Sequence, residues 1–304
     1  MKENYELIIN NDNSGKRLDI SISNLIPNLT RSSLKKYSKN ILVNNKKEKF
    51  SYKCKTGDLI KLEFEYTEIE DIIPENIPID IVYEDINYII INKKSMMVVH
   101  PAKGNYKGTL LNALLGLNKK LSNINDKFRP GIVHRLDKET SGLIIIAKNN
   151  QSHNYLNELF KNRNILKKYH AIVKGVFLPL KIKIINNIGR NPKNRKKMAV
   201  LKEGGKKSIT SIEKVKHING YSYLDIRLLT GRTHQIRVQL SNYGFPILGD
   251  MIYSKKDKIF TDIGLCLVAY RLSFYDKFSD KNIDIKIKDP VFIKEAILKI
   301  KKSI

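Results

Sequence analysis

The chain has 304 residues, enough for a large hydrophobic core and for two domains. Its 56 lysines and arginines against 30 aspartates and glutamates give a formal net charge of +26. An excess of this size favours a polyanionic partner, which would be RNA, DNA or an anionic membrane. Two cysteines far apart in sequence, Cys54 and Cys266, exclude a disulfide framework and a paired-cysteine zinc site. Since the sequence also contains no apolar run of membrane-spanning length, these features predict a reduced, cytoplasmic protein that does not contact a membrane.

The amino-terminal part of the chain predicts a small basic domain. Apolar residues at helical spacing indicate a first helix in residues 17–26, and residues 30–37 indicate a second helix with Thr30 as its N-cap. Strands are expected at residues 5–9, 41–46 and 59–64. We therefore assign residues 1–66 to a small domain of two helices and a hairpin, followed by an acidic, proline-containing linker at residues 67–80.

Residues 81–304 predict a second, larger domain. Its expected strands lie at residues 79–83, 88–92, 143–147, 168–175, 181–185, 209–215, 221–229 and 282–288. Its expected helices lie at residues 110–117, 152–160, 233–243 and 290–302, the last with Asp289 as N-cap and Pro290 in its first turn. Many strands, few helices and little strand–helix–strand spacing favour an α+β domain around a large, mainly antiparallel mixed sheet.

Residues 131–148 carry the most pronounced polar pattern. The first half places one carboxylate, Asp137, between Arg135 and Lys138, and the second half, residues 143–147, is an apolar run typical of a buried strand. Gly142 separates the two halves and is expected to supply turn geometry. A charged turn leading into a core strand would hold a catalytic carboxylate rigidly, although a solvated turn beside a strand accounts for the same residues.

Three further segments concentrate polar residues, at 92–101, 168–169 and 230–239. The sequence contains no phosphate-binding loop, no dinucleotide-binding glycine motif and no zinc deaminase signature. Its six histidines have no metal-ligand spacing, and carboxylates are not expected to cluster near these segments. The pattern favours a site that works without a cofactor or metal, built from one carboxylate, one aromatic residue and several arginines.

The same segments, taken in order, resemble the RluA-type pseudouridine synthases over nearly the whole chain. Residues 134–142 resemble that family's catalytic motif, residues 168–169 its tyrosine motif, residues 231–238 its third motif and residues 79–101 its first. Residues 196–200 are similar to the RluD-like branch of the family. Residues 17–64 are similar to the RNA-binding domain named after small-subunit ribosomal protein four.

The resemblance implies that the protein isomerises specific uridines to pseudouridine in large-subunit (23S) ribosomal RNA, by base flipping and without a cofactor. It implies that Asp137 is the catalytic carboxylate, as a nucleophile at the ribose or as a base on it. Tyr169 would stack on the flipped uracil and assist removal of the C5 proton. Arg237 would pair with Asp137, with Arg232 as the second choice, and Arg135 would fill the space left by the extruded base. A neighbouring cation would keep the carboxylate ionised in a site that excludes water.

RNA contacts are expected from both domains. The residues are His134, Arg135, Arg232 and Gln235 near the catalytic motifs, Arg31, Lys35 and Lys36 in the small domain, and Arg195, Lys196 and Lys197 in a basic loop. Large-subunit ribosomal RNA or its precursor is the expected partner, and the protein is expected to be a monomer. The alternative is an RNA-binding ribosome-assembly factor with dispensable catalysis, whereas a nuclease is disfavoured because metal and base residues are missing.

Three residues depart from the family pattern. Lys94 stands where proline is usual, Met96 where glycine is usual, and Val268 where a histidine is usual. These departures bear on a local turn and on the shape of the RNA groove, and none falls on the expected catalytic set.

Overall fold

The computed structural model describes residues 2–26, 29, 31–65, 72–102, 104–124, 129–194, 197–254, 260 and 262–302. Thr30, Arg195 and Lys196 lie outside this part of the chain, as does the side chain of Lys36, so the predictions made for them stay predictions. The chain divides into two compact units, one of residues 1–73 with 123–130 and the other of residues 74–122 with 131–304. The domain boundaries that the sequence predicts at residues 66 and 80 also stay predictions.

The smaller unit is a four-stranded antiparallel sheet with two helices. Its elements are β1 (Lys2–Ile8), α1 (Leu18–Leu25), α2 (Arg31–Tyr37), β2 (Ser38–Val43), β3 (Lys46–Lys47) and β4 (Leu59–Glu65), and the strand order is β1-β4-β2-β3. Along β4 the side chains of Ile60, Leu62 and Phe64 are buried in one core with Leu18 and Ile22 of α1. Alternation along the strand and helical spacing along α1 thus direct apolar side chains to the same core.

The larger unit is built around one sheet. Its strands are β5 (Asp80–Glu84), β6 (Tyr88–Lys93), β7 (Ser141–Ala147), β8 (Leu166–Lys174), β9 (Ile182–Arg190), β10 (Met198–Leu201), β11 (Lys206–Ile218), β12 (Tyr221–Leu228), β13 (Leu267–Asp276) and β14 (Lys281–Lys286). Its helices are α3 (Leu110–Gly116), α4 (Asn150–Asn162), α5 (Gln235–Asn242) and α6 (Val291–Lys302). None of the helices within the described ranges is long and apolar enough to cross a membrane.

The ten strands follow the order β10-β9-β11-β12-β8-β13-β7-β6-β5, with β14 paired to β13. Among the pairings in the described residues, β7 with β13 is parallel and the others are antiparallel. The expected α+β class with a large, mainly antiparallel mixed sheet is therefore confirmed.

Two strands of this sheet were missed by the sequence analysis, β10 and β13. Strand β13 lies at the centre of the sheet, where it pairs with β7, β8 and β14. A bulge between Ala269 and Arg271 interrupts its alternation, which removes the period-two signal that marks a strand. Val268, the departure from the family's histidine, is fully buried in this strand and belongs to the hydrophobic core.

The apolar run of β7 is explained by burial on both faces of the sheet. Ile144 and Ile146 belong to the core that also contains residues of α3, α5 and α6. Leu143 and Ile145 belong to the core under α4. A strand covered on both sides carries apolar residues at successive positions instead of alternate ones.

The start of α6 is tied to the sheet by Asp289, which the sequence analysis expected to cap the helix. Its carboxylate accepts a hydrogen bond from the Tyr223 hydroxyl at 2.6 Å and lies 2.7 Å from His170 Nδ1. The carbonyl of Pro290 accepts hydrogen bonds from the amides of Ile293 and Lys294 at the first turn. Asp289 therefore has a tertiary contact at the position where a local cap was expected.

The expectation that Gly142 supplies a turn is wrong, because this residue lies inside β7. It has a φ of +109°, and a Cβ placed on it would lie 2.3 Å from the carbonyl oxygen of Ala269. Glycine is required here because β7 and β13 approach closely where they pair in parallel.

Met96 keeps a backbone conformation that favours glycine. Its φ is +66°, in the left-handed region, and its side chain is exposed. The turn at Met96 therefore uses a backbone conformation that glycine adopts readily and that is less favourable for methionine.

Substitution of Gly142 tests whether β7 and β13 approach too closely to leave space for a side chain at this position. Gly142→Ala is expected to destabilise the larger unit by about 3 kcal/mol, since the methyl group meets the β13 backbone and the positive φ is unfavourable for alanine. Gly220→Ala is the control, because Gly220 has a φ of +77° and open space around its Cβ position. The Gly220→Ala substitution should lower the free energy of unfolding by about 1 kcal/mol. Urea unfolding followed by circular dichroism measures both, and equal losses would contradict a steric role for Gly142.

Candidate functional site

A cavity of about 450 Å³ in the larger unit brings together the three residues expected to be catalytic. Asp137 comes from the segment before β7, Tyr169 from β8 and Arg237 from α5, and all three line the cavity. The site predicted from separate sequence segments is thus spatially continuous. The catalytic role of each residue stays a prediction.

The segment that carries Asp137 accepts a hydrogen bond from Lys93, the last residue of β6. The Lys93 side chain is 1% exposed, and its Nζ donates hydrogen bonds to the carbonyls of Lys94 (2.9 Å), Met97 (2.9 Å) and Lys138 (3.3 Å). Burial lowers the pKa of Lys93 to about 8, although Asp137 and Glu139 act to raise it. Lys93 therefore ties the first polar segment to the catalytic one and places a cation beneath two carboxylates.

Arg237 is the centre of the charged network. Its Nε and Nη2 donate to the two oxygens of Asp250 at 2.8 and 2.9 Å, a bidentate pair in which both side chains are buried. Its Nη1 donates to Glu139 Oε2 at 3.1 Å and lies 3.8 Å from Asp137 Oδ2. The expected pairing of Arg237 with Asp137 is present as an ion pair, but the closest partner of the guanidinium is Asp250.

The expectation that carboxylates do not cluster here is wrong. Asp137, Glu139 and Asp250 all lie within 4 Å of one guanidinium. Glu139 lies within residues 134–142, which resemble the catalytic motif, but the sequence predicted no role for it, and Asp250 lies outside the segments rich in polar residues. Arg232, the second choice as partner of Asp137, instead directs its Nε to the carbonyl of Lys207 at 3.5 Å.

The ionisation of the buried pair follows from its contacts. Burial lowers the pKa of Arg237, but the hydrogen bonds and charge of Asp250, together with Asp137 and Glu139, outweigh burial and raise the pKa. Burial raises the pKa of Asp250, but Arg237 and the amides of Ile252 and Tyr253 outweigh it and lower the pKa. Both groups therefore remain charged, and the guanidinium keeps a fixed orientation towards Asp137.

His234 is a functional candidate to which the sequence analysis gave no role. Its Nε2 lies 4.0 Å from Asp137 Oδ1, and its Nδ1 lies 2.8 Å from the hydroxyl of Tyr253. Burial lowers the pKa of His234, and the positive charge of Arg237 also lowers it while Asp137 opposes the shift. His234 precedes α5 with a φ of +55°, so a left-handed backbone turns its ring towards the carboxylate.

Tyr169 is buried on the wall of the cavity and faces the same side of β8 as Lys167 and Ala171. Burial raises the pKa of its hydroxyl, and the charge of Asp137 raises it further. The phenol therefore stays protonated near neutral pH, which suits a stacking surface better than a phenolate base.

Two residues predicted to contact RNA have protein partners. His134 Nε2 accepts a hydrogen bond from the Ile145 amide at 3.0 Å, and burial lowers its pKa to about 3. Gln235 is 2% exposed, with its Oε1 accepting from Thr230 and its Nε2 donating to the carbonyl of Ile209. These bonds stabilise the walls of the cavity, and the RNA contacts of both residues stay predictions.

The other expected RNA-binding residues in the described part of the chain are at least partly exposed. Arg135 is exposed and Arg232 partly exposed at the cavity, and Lys197 lies in the turn before β10. In the smaller unit Lys35 is exposed on α2. Arg31 binds the buried carboxylate of Asp19 through Nε at 3.0 Å and Nη2 at 2.8 Å, so its guanidinium is held in place while half of the side chain remains exposed.

Within the described ranges, no group of three or more histidines, cysteines, aspartates or glutamates is arranged to hold a metal ion. The three carboxylates around Arg237 are instead neutralised in part by cationic side chains, those of Arg237 and Lys93.

Comparisons with known proteins identify the family. Residues 87–242 match the family model described as RNA pseudouridylate synthase. An uncharacterized RNA pseudouridine synthase of Aquifex aeolicus (strain VF5) is 39% identical over 293 residues, covering 92% of each chain. A protein of Neisseria meningitidis serogroup A named ribosomal large subunit pseudouridine synthase D is 38% identical, covering 94% of this chain and 80% of the relative. Human RNA Pseudouridylate Synthase Domain Containing 1 has a similar fold, with a TM-score of 0.58 and 24% identity over 70% of this chain and 84% of the human one.

The buried pair of Arg237 and Asp250 predicts a large loss of stability when its charge balance is broken. Asp250→Asn is expected to destabilise the larger unit by about 3 kcal/mol, because the buried guanidinium loses its compensating charge. Asp284→Asn is the matched control, since Asp284 binds Arg271 in the same bidentate manner but at the surface. Its cost should not exceed about 1 kcal/mol. Urea unfolding by circular dichroism compares them, and similar costs would refute the importance of burial.

Proposed function

The chain belongs to the RluA-type RNA pseudouridine synthases, and from this premise we propose that it isomerises specific uridines in large-subunit ribosomal RNA. The name of the Neisseria relative, ribosomal large subunit pseudouridine synthase D, supports this substrate. So does the net charge of +26, which suits a large polyanion.

The observation that carries the proposed mechanism is the convergence of Asp137, Tyr169 and Arg237 on one cavity. In the reaction, the bond between ribose C1′ and N1 of the uracil breaks, with its electron pair moving to the uracil. The uracil then turns, and a bond forms between C1′ and C5. The C5 proton leaves and N1 gains a proton, so atoms and electrons balance without a redox partner.

Asp137 acts at the ribose, either as a nucleophile on C1′ or as a base. Both roles need a carboxylate that is held in position, and the positive charges of Arg237 and Lys93 lie near it. Asp137 is 3.8 Å from Arg237 Nη1, which is longer than a hydrogen bond, while Glu139 occupies that nitrogen at 3.1 Å. The carboxylate is thus oriented by charge and still has oxygen atoms available to the substrate.

Base flipping brings the uridine to these groups. The glycosidic bond of a stacked nucleotide is not accessible to a side chain inside a cavity, so the nucleotide must leave the stack. The buried ring of Tyr169 offers a face for the uracil, and exposed Arg135 lies at the cavity to fill the vacated space in the RNA.

Substitution of Asp137 tests the proposal. Asp137→Asn should lower the single-turnover rate of pseudouridine formation by at least about 1,000-fold, since the amide can act neither as nucleophile nor as base. RNA affinity should persist because phosphate contacts supply most of it. Carbodiimide mapping of large-subunit ribosomal RNA after incubation with each protein measures the product and its positions.

The surface variant Asp284→Asn is the control and should retain full activity. Normal turnover by Asp137→Asn would remove Asp137 from the mechanism. If wild-type protein forms no pseudouridine in large-subunit RNA but does so in another RNA, the substrate assignment is wrong. Restored ribosome assembly with Asp137→Asn in cells lacking the protein would favour an assembly role with dispensable catalysis.

A further inference from the structure

Lys167 lines the same cavity as Asp137 and Tyr169 but was given no role by the sequence motifs. It lies two residues before Tyr169 on β8, so both side chains project from the same face of the strand. Its Nζ lies 5.4 Å from the centre of the Phe160 ring and would be 3.9 Å from a Cβ placed on Gly231. The ammonium group is therefore inside the cavity, against an aromatic ring and the backbone of the third motif.

Lys167 has no carboxylate partner among the residues that the structure describes. Its contact there is the ring of Phe160, and burial alone lowers its pKa, to about 8. Burial and the charge of Lys167 lower the pKa of His134 to about 3, so His134 is neutral and adds no second cation beside Lys167. The ammonium has lost part of its hydration without gaining an anion, which is costly unless an anion arrives from outside.

The neighbouring lysine has the opposite environment. Lys168 points to the other face of β8, where its Nζ binds Glu213 at 2.6 Å and Asp225 at 3.2 Å. Two adjacent lysines on one strand thus differ in their contacts, because Lys168 is paired with carboxylates and Lys167 faces the cavity with no ion-pair partner in the described ranges. Lys93, the other lysine buried beside this site, donates its ammonium hydrogens to three backbone carbonyls, so Lys167 differs from both.

The cavity as a whole has an excess of cations. Counted over the described residues, its lining contains one carboxylate, Asp137, and six lysine or arginine side chains: Arg135, Lys161, Arg163, Lys167, Arg232 and Arg237. Arg237 is already occupied by Asp250 and Glu139. Lys167 is the basic residue on the same strand face as Tyr169, so it is the one placed to meet a group attached to a base stacked on that ring.

We propose that Lys167 forms a phosphate-binding subsite that holds a backbone phosphate of the uridine whose base enters the cavity. This inference rests on the proposed function and assigns a further substrate-positioning residue to the same site. An extruded nucleotide brings its phosphates with it, because ribose links them to the base. A partly desolvated ammonium gains a charge-assisted hydrogen bond from such a phosphate, and the Phe160 ring stabilises the cation while the cavity is empty.

The proposed subsite serves binding and placement instead of the bond-breaking step. The phosphate is not altered in the isomerisation, so its interaction with Lys167 is equal before and during the reaction. Uniform binding of this kind affects affinity and leaves the rate at saturating RNA nearly unchanged.

The test compares Lys167→Met, which keeps the length of the side chain and removes its charge, with Lys294→Met. Lys294 is exposed on α6 and lies outside the cavity lining. The first measurement is the affinity of each protein for uridine 3′,5′-bisphosphate and for uridine, by NMR titration. Wild-type protein and Lys294→Met should prefer the bisphosphate by about 10-fold, and Lys167→Met should lose that preference.

The second measurement is the dependence of affinity on salt, with a uridine-containing single-stranded RNA. Lys167→Met should reduce the slope of log K against log salt concentration by about 0.7, the value for one phosphate contact. The third measurement is the dependence of the bisphosphate preference on pH. Since protonated Lys167 is the form that binds phosphate, the bisphosphate preference of wild-type protein should fall as pH rises through about 8. Lys167→Met should show no such fall.

Loss of the bisphosphate preference, a smaller salt slope and an unchanged saturating rate in Lys167→Met would support the subsite. An unchanged preference and salt slope would overturn it. A lower saturating rate with unchanged phosphate preference would also overturn it, since Lys167 would then act on the uracil. These binding measurements do not need turnover, so failure of wild-type protein to modify large-subunit RNA would refute the proposed function separately.

Discussion

The buried pair of Arg237 and Asp250 is the interaction on which the arrangement of the cavity depends. A guanidinium that is 1% exposed is stable only with compensating charge and saturated hydrogen bonds, and Asp250 supplies both through a bidentate contact. Because two of the three guanidinium nitrogens are thereby fixed, the third must point towards Glu139 and Asp137. The position of the candidate catalytic carboxylate relative to its cation follows from a residue that lies away from every polar segment of the sequence.

The sheet supplies the second constraint. Strands β7 and β13 pair in parallel at Ser141 and Gly142, and their close approach leaves no space for a side chain at Gly142. Asp137 precedes β7 by a few residues, so the strand that is buried on both faces anchors the segment that carries it. Lys93 donates one hydrogen bond to this segment, at the Lys138 carbonyl, and two to the carbonyls of Lys94 and Met97 in the preceding polar segment. A short polar segment attached at several points loses little further entropy when substrate binds.

The lysines and arginines of this protein lie in different local environments. Most of the basic excess is at the surface, where it suits association with a polyanion. Near the cavity the basic residues have different partners. Arg237 and Lys93 lie near carboxylates, and Lys168 is paired on the opposite face of β8, whereas Lys167 faces the cavity without an acidic partner among the described residues. The net charge by itself makes no distinction among these lysines and arginines, because their roles depend on which face of a strand each one occupies.

The sequence by itself determined the class of fold, most of the helices and strands and the identity of the family. Apolar periodicity and the residues of the catalytic motif are local properties, so they can be recognised without knowing the tertiary contacts. It also identified Asp137, Tyr169 and Arg237 as candidates, and these three do line one cavity.

Strand β13 was missed because its bulge breaks the alternation, and Gly142 was predicted to form a turn because its close contact with Ala269 leaves no signal in the neighbouring residues. Only the tertiary structure decided that Asp250 and Glu139 share Arg237 with Asp137, and that Lys167 lacks the carboxylates that Lys168 has. Ion pairs between residues far apart in sequence have no periodicity, so they become visible only when the folded sheet brings the charged groups within a few ångströms of one another.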